Sequence, residues 1–309
     1  PLGLSVVIPA YNEAQRLPGM LDEAIAFLEA RATEGMRECP QRDGAAVSER
    51  PSDAASVPPH LQYELIVVDD GSTDETVHVA MGVAREHMQW LSPLSSTSPS
   101  PMRAWAGPMR AGTVRVISLA ANLGKGGAVR CGVLAARGAS ILFADADGAT
   151  RFSDIAILEP TTATTPPPSH RRKDPSPDHP PLEPLGIAVG SRAFLQDSEV
   201  KRSLIRSIMM YLFHAFVRFI GIRTLQDTQC GFKLFTRAAA QRVFPHLHSQ
   251  RWVFDIELLL LAQWAAIPVA EVAVAWHEVP GTKLRLMNDT LRMAIDLLLI
   301  RFNYLAGIW

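Results

Sequence analysis

Short apolar runs alternate along this chain with longer stretches in which apolar residues recur every three or four positions. Leu4-Ser-Val-Val-Ile-Pro9, Glu64-Leu-Ile-Val-Val68, Val114-Arg-Val-Ile-Ser-Leu119 and Ser140-Ile-Leu-Phe-Ala144 are short and mostly rich in branched residues, as buried strands are. Between them, Leu17, Leu21, Ile25 and Leu28 mark a helix over 17–31, a second helix starts near Ser72 or Thr73, and a third spans about 125–137. Strands that are apolar throughout and separated by helices predict a mostly parallel sheet covered on both faces. Two later segments, Lys201 to Leu225 and Leu284 to Trp309, are apolar but carry arginines and aromatic residues. Neither holds the roughly 20 uninterrupted apolar residues of a membrane span. Such helices suit a membrane interface, and they equally suit a buried core.

Composition changes the domain count. The chain has 309 residues, room for one large or two ordinary domains, but its 23 prolines are bunched. Residues 31–60, 91–112 and 160–184 are rich in Pro, Ser, Gly and scattered charge, and the last holds nine prolines. Segments of this kind bury too little apolar surface to offset the cost of ordering them. They are expected as insertions in a single domain of 1–309, with a nucleotide-binding half at 1–158 and an acceptor- and membrane-facing half at 185–309. The 30 basic and 31 acidic residues give a net charge of -1, which argues against nucleic acid as a partner. Cys39, Cys131 and Cys230 form neither a CxxC nor a zinc pattern.

In a parallel sheet ligands bind beyond the carboxyl ends of the strands, so the strand tails are where chemistry is expected. The first strand runs into Pro9-Ala-Tyr-Asn-Glu13, the second into Asp69-Asp-Gly-Ser-Thr-Asp74, the third into Asn122-Leu-Gly-Lys-Gly-Gly127 and the fourth into Asp145-Ala-Asp147. Two carboxylates at i and i+2 can point to one side and hold a hard divalent cation that also takes diphosphate oxygens. Read singly, Glu13, Asp69 and Asp70 are equally well caps or turn residues. The glycine-rich tail is neither a P-loop nor a dinucleotide fingerprint, since Leu119 and Val129 stand where glycine or a small residue is needed. It remains a helix start with a lysine, suited to an anion, or a simple turn and cap.

These tails, with Gly190-Ser-Arg192, Asp227-Thr-Gln-Cys-Gly-Phe-Lys-Leu-Phe235, Arg251-Trp-Val-Phe-Asp-Ile-Glu257 and Trp276-His-Glu-Val-Pro-Gly-Thr-Lys283, resemble the inverting nucleotide-sugar transferases of glycosyltransferase family 2. The resemblance implies a GT-A type, Rossmann-like sheet with helices on both faces and C-terminal amphipathic helices at a membrane interface. It implies transfer of glucose from UDP-glucose to dolichyl phosphate, for protein N-glycosylation, at the cytoplasmic face of the endoplasmic reticulum membrane. The nucleotide sugar would be held by Pro9, Tyr11, Glu13, Asp69, Asp70, Lys125 and Asp145, and Mg²⁺ or Mn²⁺ by Asp145 and Asp147. Arg192, Arg202 and Arg206 would grip the acceptor phosphate, and Asp147, Arg192 and Arg206 would be the catalytic set. The chain begins at Pro1, and the resemblance implies a membrane helix upstream of it.

Three alternatives stand beside that expectation. One is transfer of mannose from GDP-mannose, against which the string from Asp227 to Phe235 counts. A sugar-nucleotide synthesising nucleotidyltransferase would carry a glycine-rich loop after the first strand, which Pro9 to Glu13 lacks. A non-catalytic membrane-associated binding protein would have no use for an intact acid pair.

Overall fold

The computed structural model describes residues 2–38, 57–89, 111–164, 184–193, 225–279 and 286–309, with side chains from 292 onward in the last of these. The strands are β1 (Leu2–Ala10), β2 (Tyr63–Asp69), β3 (Gly112–Ser118), β4 (Gly138–Ala144), β5 (Ile187–Ser191), β6 (Phe232–Thr236) and β7 (Val269–Ala273). The helices are α1 (Leu17–Glu38), α2 (Thr76–Gln89), α3 (Lys125–Ala135), α4 (Ile155–Thr164), α5 (Arg237–Val243), α6 (Phe254–Trp264) and α7 (Leu286–Leu305). They form one sheet of order β3-β2-β1-β4-β6-β5-β7. Only the pairings of β6 with β4 and β5 are antiparallel.

The apolar runs form strands because both of their faces are covered. Alternate residues of β1 and β4 enter two separate cores. Val6, Ile8, Leu142 and Ala144 pack with α1, α2 and α4. Val7, Ile141 and Phe143 pack with α3, α5, α6 and α7. Each such fully buried aliphatic side chain stabilises the fold by about 1.5–3 kcal/mol. The mostly parallel GT-A sheet expected from the sequence is therefore the observed one, and three short strands of the second half complete it.

The amino edge of the sheet is pinned by a buried charge. Glu64 is 0% exposed. It accepts from Ser5 Oγ at 2.7 Å, Arg115 at 2.9 Å, and the backbone and guanidinium of Arg137 at 2.7–3.0 Å. Burial alone would raise this carboxyl, but the two arginines and Ser5 outweigh it and hold it below the ordinary value.

The insertion boundaries need correction. The helix expected to stop at 31 continues to Glu38, with Ala32 buried and Met36 packed against the same core. Its last turns are built from Ala, Thr and Gly, whose small side chains hide the apolar stripe. The insertion placed at 160–184 likewise begins inside α4, which carries Pro160 within it and runs to Thr164. Val57, near the end of the insertion placed at 31–60, is buried, and Gly112, the end of the one placed at 91–112, opens β3. The segment Lys201 to Leu225 lies almost wholly outside the described residues.

Candidate active site

In the strand order, β2 and β3 lie on one side of β1 and β4 on the other, so the chain reverses its winding between β1 and β4. A crevice opens at such a switch point. The tail of β4 delivers Asp145 and Asp147 there. The turn beyond it has Gly148 at φ 68° and Ala149 N–H donating to Asp147 Oδ1 at 3.0 Å. It is laced to the segment after β7 by His277 N–H to Ala149 O, 2.9 Å, and Arg151 N–H to Ala275 O, 3.1 Å. Burial first, and then the neighbouring Asp145 charge, raise the Asp147 carboxyl above its usual range, with Arg16 and Lys125 pulling it partly back. A buried carboxylate with a like charge beside it makes a site that gains from added positive charge.

Lys125, the first residue of α3, supplies some of that charge. Its Nζ lies 2.7 Å from Asp145 Oδ1 and 3.0 Å from Oδ2. The ammonium also stands over the rings of Phe143 and Trp252, at 5.3 and 5.6 Å. Burial opposes its charge, but Asp145, Asp255 and Asp147 together keep the lysine above its ordinary value.

The strand β6 reaches this edge by its amino end, because it runs against its neighbours. Gly231 O accepts from Asp145 N–H at 3.0 Å. A Cβ on Gly231 would lie 1.9 Å from Asp145 Oδ2 and 2.2 Å from its Cγ. The glycine thus makes the space in which the Asp145 carboxylate sits. Two residues on, Lys233 is fully buried and donates to Asp255 Oδ1 and to Cys230 O, both at 2.6 Å. Asp255, at the start of α6, is buried too, and burial raises it despite the two lysines. Burial also pushes the Cys230 thiol up to about 11, so this residue contributes its carbonyl and not a thiolate.

The glycine-rich tail turns out to be a packing device. Asp70 takes the N–H of Leu123 at 2.7 Å and of Gly124 at 2.8 Å, while Gly127 N–H donates to Gln250 O at 3.0 Å. A Cβ on Gly124 would strike Gln250 O at 2.6 Å, and one on Gly126 would strike Ser249 O and Phe254 Cβ at 2.6 Å. The turn-and-cap reading therefore describes these amides better than a phosphate cradle does. Asp69 is similarly engaged, by Ser72 N–H at 3.2 Å and Ser118 Oγ at 3.1 Å. Both acids are almost fully buried, and burial raises Asp70.

At the mouth of the crevice Pro9 is half-buried and Tyr11 is 38% exposed. Glu13 takes Arg16 in a two-bonded pair at 2.6 and 2.7 Å. On the far side Arg192 closes a two-bonded pair with Asp227 at 2.7 and 2.9 Å and stands 5.7 Å from the Trp276 ring centroid. Asp227 holds its charge well below the usual carboxylate range through that arginine, despite burial. Glu271 fixes the segment in turn by accepting from Gln226 and Asp227 N–H, at 2.9 and 2.8 Å. Arg202 and Arg206 lie outside the described residues.

Sequence reasoning did not foresee the Arg192–Asp227 pair, the Lys233–Asp255 pair or Arg16 beside Asp147. A lysine inside the apolar strand Phe232-Lys-Leu-Phe235 was a readable signal, since a buried ammonium demands a carboxylate partner. Glu257 of α6 is likewise engaged inside the fold. It is fully buried and gathers His248 N–H, Ser249 N–H and the Tyr304 hydroxyl of α7 at 3.0, 2.6 and 2.8 Å.

Among the described residues no set of three or more His, Cys, Asp or Glu side chains gathers as metal ligands. Asp145 and Asp147 fit the sparser pattern of Mg²⁺, in which one or two carboxylates leave the other positions to phosphate oxygens and water.

The sequence profile of glycosyl transferase family 2 matches residues 5–90 and 96–158. The dolichyl-phosphate beta-glucosyltransferase of Drosophila melanogaster is 43% identical over 309 residues, covering 100% of this chain and 77% of that protein. The one from Homo sapiens is 42% identical, covering 99% and 77%, and that from Saccharomyces cerevisiae 39%, covering 99% and 76%. A crystal structure of glucosyl-3-phosphoglycerate synthase from Mycobacterium tuberculosis with Mn²⁺, UDP and glucosyl-3-phosphoglycerate shares the fold. It aligns at TM-score 0.57 and 18% identity over 97% of this chain and 80% of that one. The chain is a glycosyltransferase of family 2 and belongs, within it, with the dolichyl-phosphate beta-glucosyltransferases.

Proposed function

We propose that this enzyme transfers glucose from UDP-glucose to dolichyl phosphate with inversion, giving dolichyl β-D-glucosyl phosphate for protein N-glycosylation. The observation that carries this reading is the identity of 43% along the whole chain to a named dolichyl-phosphate beta-glucosyltransferase. The crevice between β1 and β4 supports it. Asp145 and Asp147 are the residues to hold Mg²⁺ or Mn²⁺, and such a cation supplies positive charge to a diphosphate leaving group. Lys125 is positioned to add to that charge. Pro9, Tyr11 and Glu13 are the contacts expected for the base and ribose. Asp69 and Asp70 act at one remove, by fixing the loops that carry Ser72 and Lys125.

The acceptor is a phosphate monoester whose second pKa is near 6, so it is already an anion at neutral pH and needs no protein base. What it needs is alignment with the sugar C1. Arg192 is clamped by Asp227 on the side away from the nucleotide tails, and we assign it, with Arg202 and Arg206, to the acceptor phosphate.

The exposed face of α7 supports work at a membrane surface. Met293, Leu297 and Ile300 enter the core, while Ile295, Leu298, Leu299, Phe302 and Leu305 are 49–70% exposed. One face of this helix is therefore core, and the other is open apolar surface. No helix among the described residues is long and apolar enough to cross a membrane. A half-exposed apolar stripe suits the boundary between headgroups and acyl chains. The compartment proposed is the cytoplasmic face of the endoplasmic reticulum membrane.

The test is a donor panel of UDP-glucose, GDP-mannose and UDP-N-acetylglucosamine with dolichyl phosphate in liposomes and Mg²⁺ or Mn²⁺. Transfer from UDP-glucose alone is expected. Preference for GDP-mannose would overturn the donor assignment, and full activity in excess EDTA would remove the metal.

A further inference from the structure

Lys125 and a divalent cation want the same atoms. The lysine touches both oxygens of Asp145, at 2.7 and 3.0 Å, and Asp145 cannot turn towards Gly231, whose Cα already stands against it. A cation placed on Asp145 would share one small carboxylate with an ammonium, and the two repel at close range. The local balance sharpens this conflict. Asp145, Asp147, Asp255 and Glu13 bring four negative charges against three positive charges from Lys125, Lys233 and Arg16. A dication alone would overshoot that small deficit. A dication accompanied by a diphosphate would not, and the diphosphate would give the displaced ammonium a new partner.

We propose that Lys125 is a displaceable counter-ion, which occupies Asp145 until a divalent cation and the nucleotide arrive together and then passes to the diphosphate. Metal and donor consequently bind as a unit, and the metal alone binds poorly. This inference rests on reading Asp145 and Asp147 as the metal ligands. The position of Lys125 favours such a hand-over. Its Nζ lies among Asp145, the Phe143 ring and the Trp252 ring, and the loop beneath it is fixed by Asp70 and Gln250, so the side chain can move without the backbone.

The experiment measures free Mn²⁺ by electron paramagnetic resonance while MnCl₂ is titrated into the whole protein, with and without UDP. The Mn²⁺ taken up by UDP alone, measured in a matched titration without protein, is subtracted. Wild type is expected to bind Mn²⁺ at least tenfold more tightly with UDP than without it. Lys125→Met should bind Mn²⁺ alone at least tenfold more tightly than wild type does, and should lose tenfold or more in UDP affinity when Mn²⁺ is present. Lys125→Arg keeps the charge and should keep the weak binding of Mn²⁺ alone. Equal Mn²⁺ affinity of wild type with and without UDP overturns the proposal, and this result needs no variant to fold. Equal affinity of wild type and Lys125→Met for Mn²⁺ alone overturns it as well. Absence of Mn²⁺ binding even with UDP would instead remove the metal reading itself, and the proposal with it.

Discussion

Replacing Gly231 by alanine should abolish most transfer while leaving the fold standing. The new methyl would lie 1.9 Å from Asp145 Oδ2, 2.6 Å from Oδ1 and 2.2 Å from Cγ. Since non-bonded carbon contacts settle near 3.5–4.0 Å, the carboxylate must retreat by at least about 1 Å. The atoms struck are the far end of a side chain, so β4 and β6 can keep their pairing and the retreat is a rotation of Asp145. That rotation costs about 0.5–1.5 kcal/mol if it leaves Asp145 off-rotamer, and about 1.5–3 kcal/mol if it breaks the bond to Lys125. The domain tolerates a loss of this size. The site does not, because a misplacement of about 1 Å at a reacting centre costs on the order of 10²-fold in rate. Transfer of labelled glucose from UDP-glucose to dolichyl phosphate, measured beside the thermal midpoint, checks both halves. Activity within threefold of wild type in a folded variant would show that Asp145 need not stand where Gly231 allows it.

Three other outcomes rest on features outside that contact. Lys233→Met leaves the buried Asp255 carboxylate without its nearest partner and should cost about 3–5 kcal/mol. The loss should shrink as pH falls, because burial raises Asp255 in the folded state and protonation removes the unpaired charge. Denaturant unfolding at several pH values reads this, and a pH-independent loss would refute it. Glu64 carries the opposite sign. Its depressed folded value makes its contribution full above the ordinary glutamate range and progressively lost as pH falls through the depressed one. Glu64→Gln, which should cost about 1–3 kcal/mol near neutral pH, should therefore approach wild type in acid, and parallel stability curves would contradict this. On α7, Leu298→Ser with Phe302→Ser removes exposed apolar surface. It should reduce co-sedimentation with liposomes more than tenfold while stability stays within about 0.5 kcal/mol. Unchanged pelleting would return that face to ordinary surface.

Much of the first half of the fold was legible because its physics is local. A strand buried on both faces must be mostly apolar, and β1, β2 and β4 are, while the half-open edge strand β3 keeps Val114, Val116 and Ile117. The tails that deliver Asp145, Asp147 and Lys125 stand directly past the carboxyl ends of those strands, where a parallel sheet gathers its ligands. The features that escaped were non-local. The period of a strand says nothing of its direction, so the reversal of β6 was unreadable, as was the approach of Gly231 to Asp145. Glycines 124, 126 and 127 have the composition of an anion loop, yet they serve close contact with Gln250, Ser249 and Phe254, which lie far along the chain. Pairings such as Lys233 with Asp255 and Arg192 with Asp227 join residues that carry no mark of each other in sequence. Small residues also misled at the end of α1, where Ala32 and Met36 extend an apolar face that looks like low complexity.

The reversed strand β6 also sets a schedule for synthesis. Roughly 90 residues separate the end of β4 at Ala144 from the start of β6 at Phe232, and a ribosome adding about 5–20 residues each second needs several seconds to bridge them. Throughout that interval β4 is an open edge, its outer backbone groups unpaired and the flanking cores half built, the condition in which sheets recruit foreign strands. The half that carries the acid pair is thus born before the strand that seals it. Nascent chains halted after α4 should be found on chaperones, and residues 1–164 produced alone should aggregate.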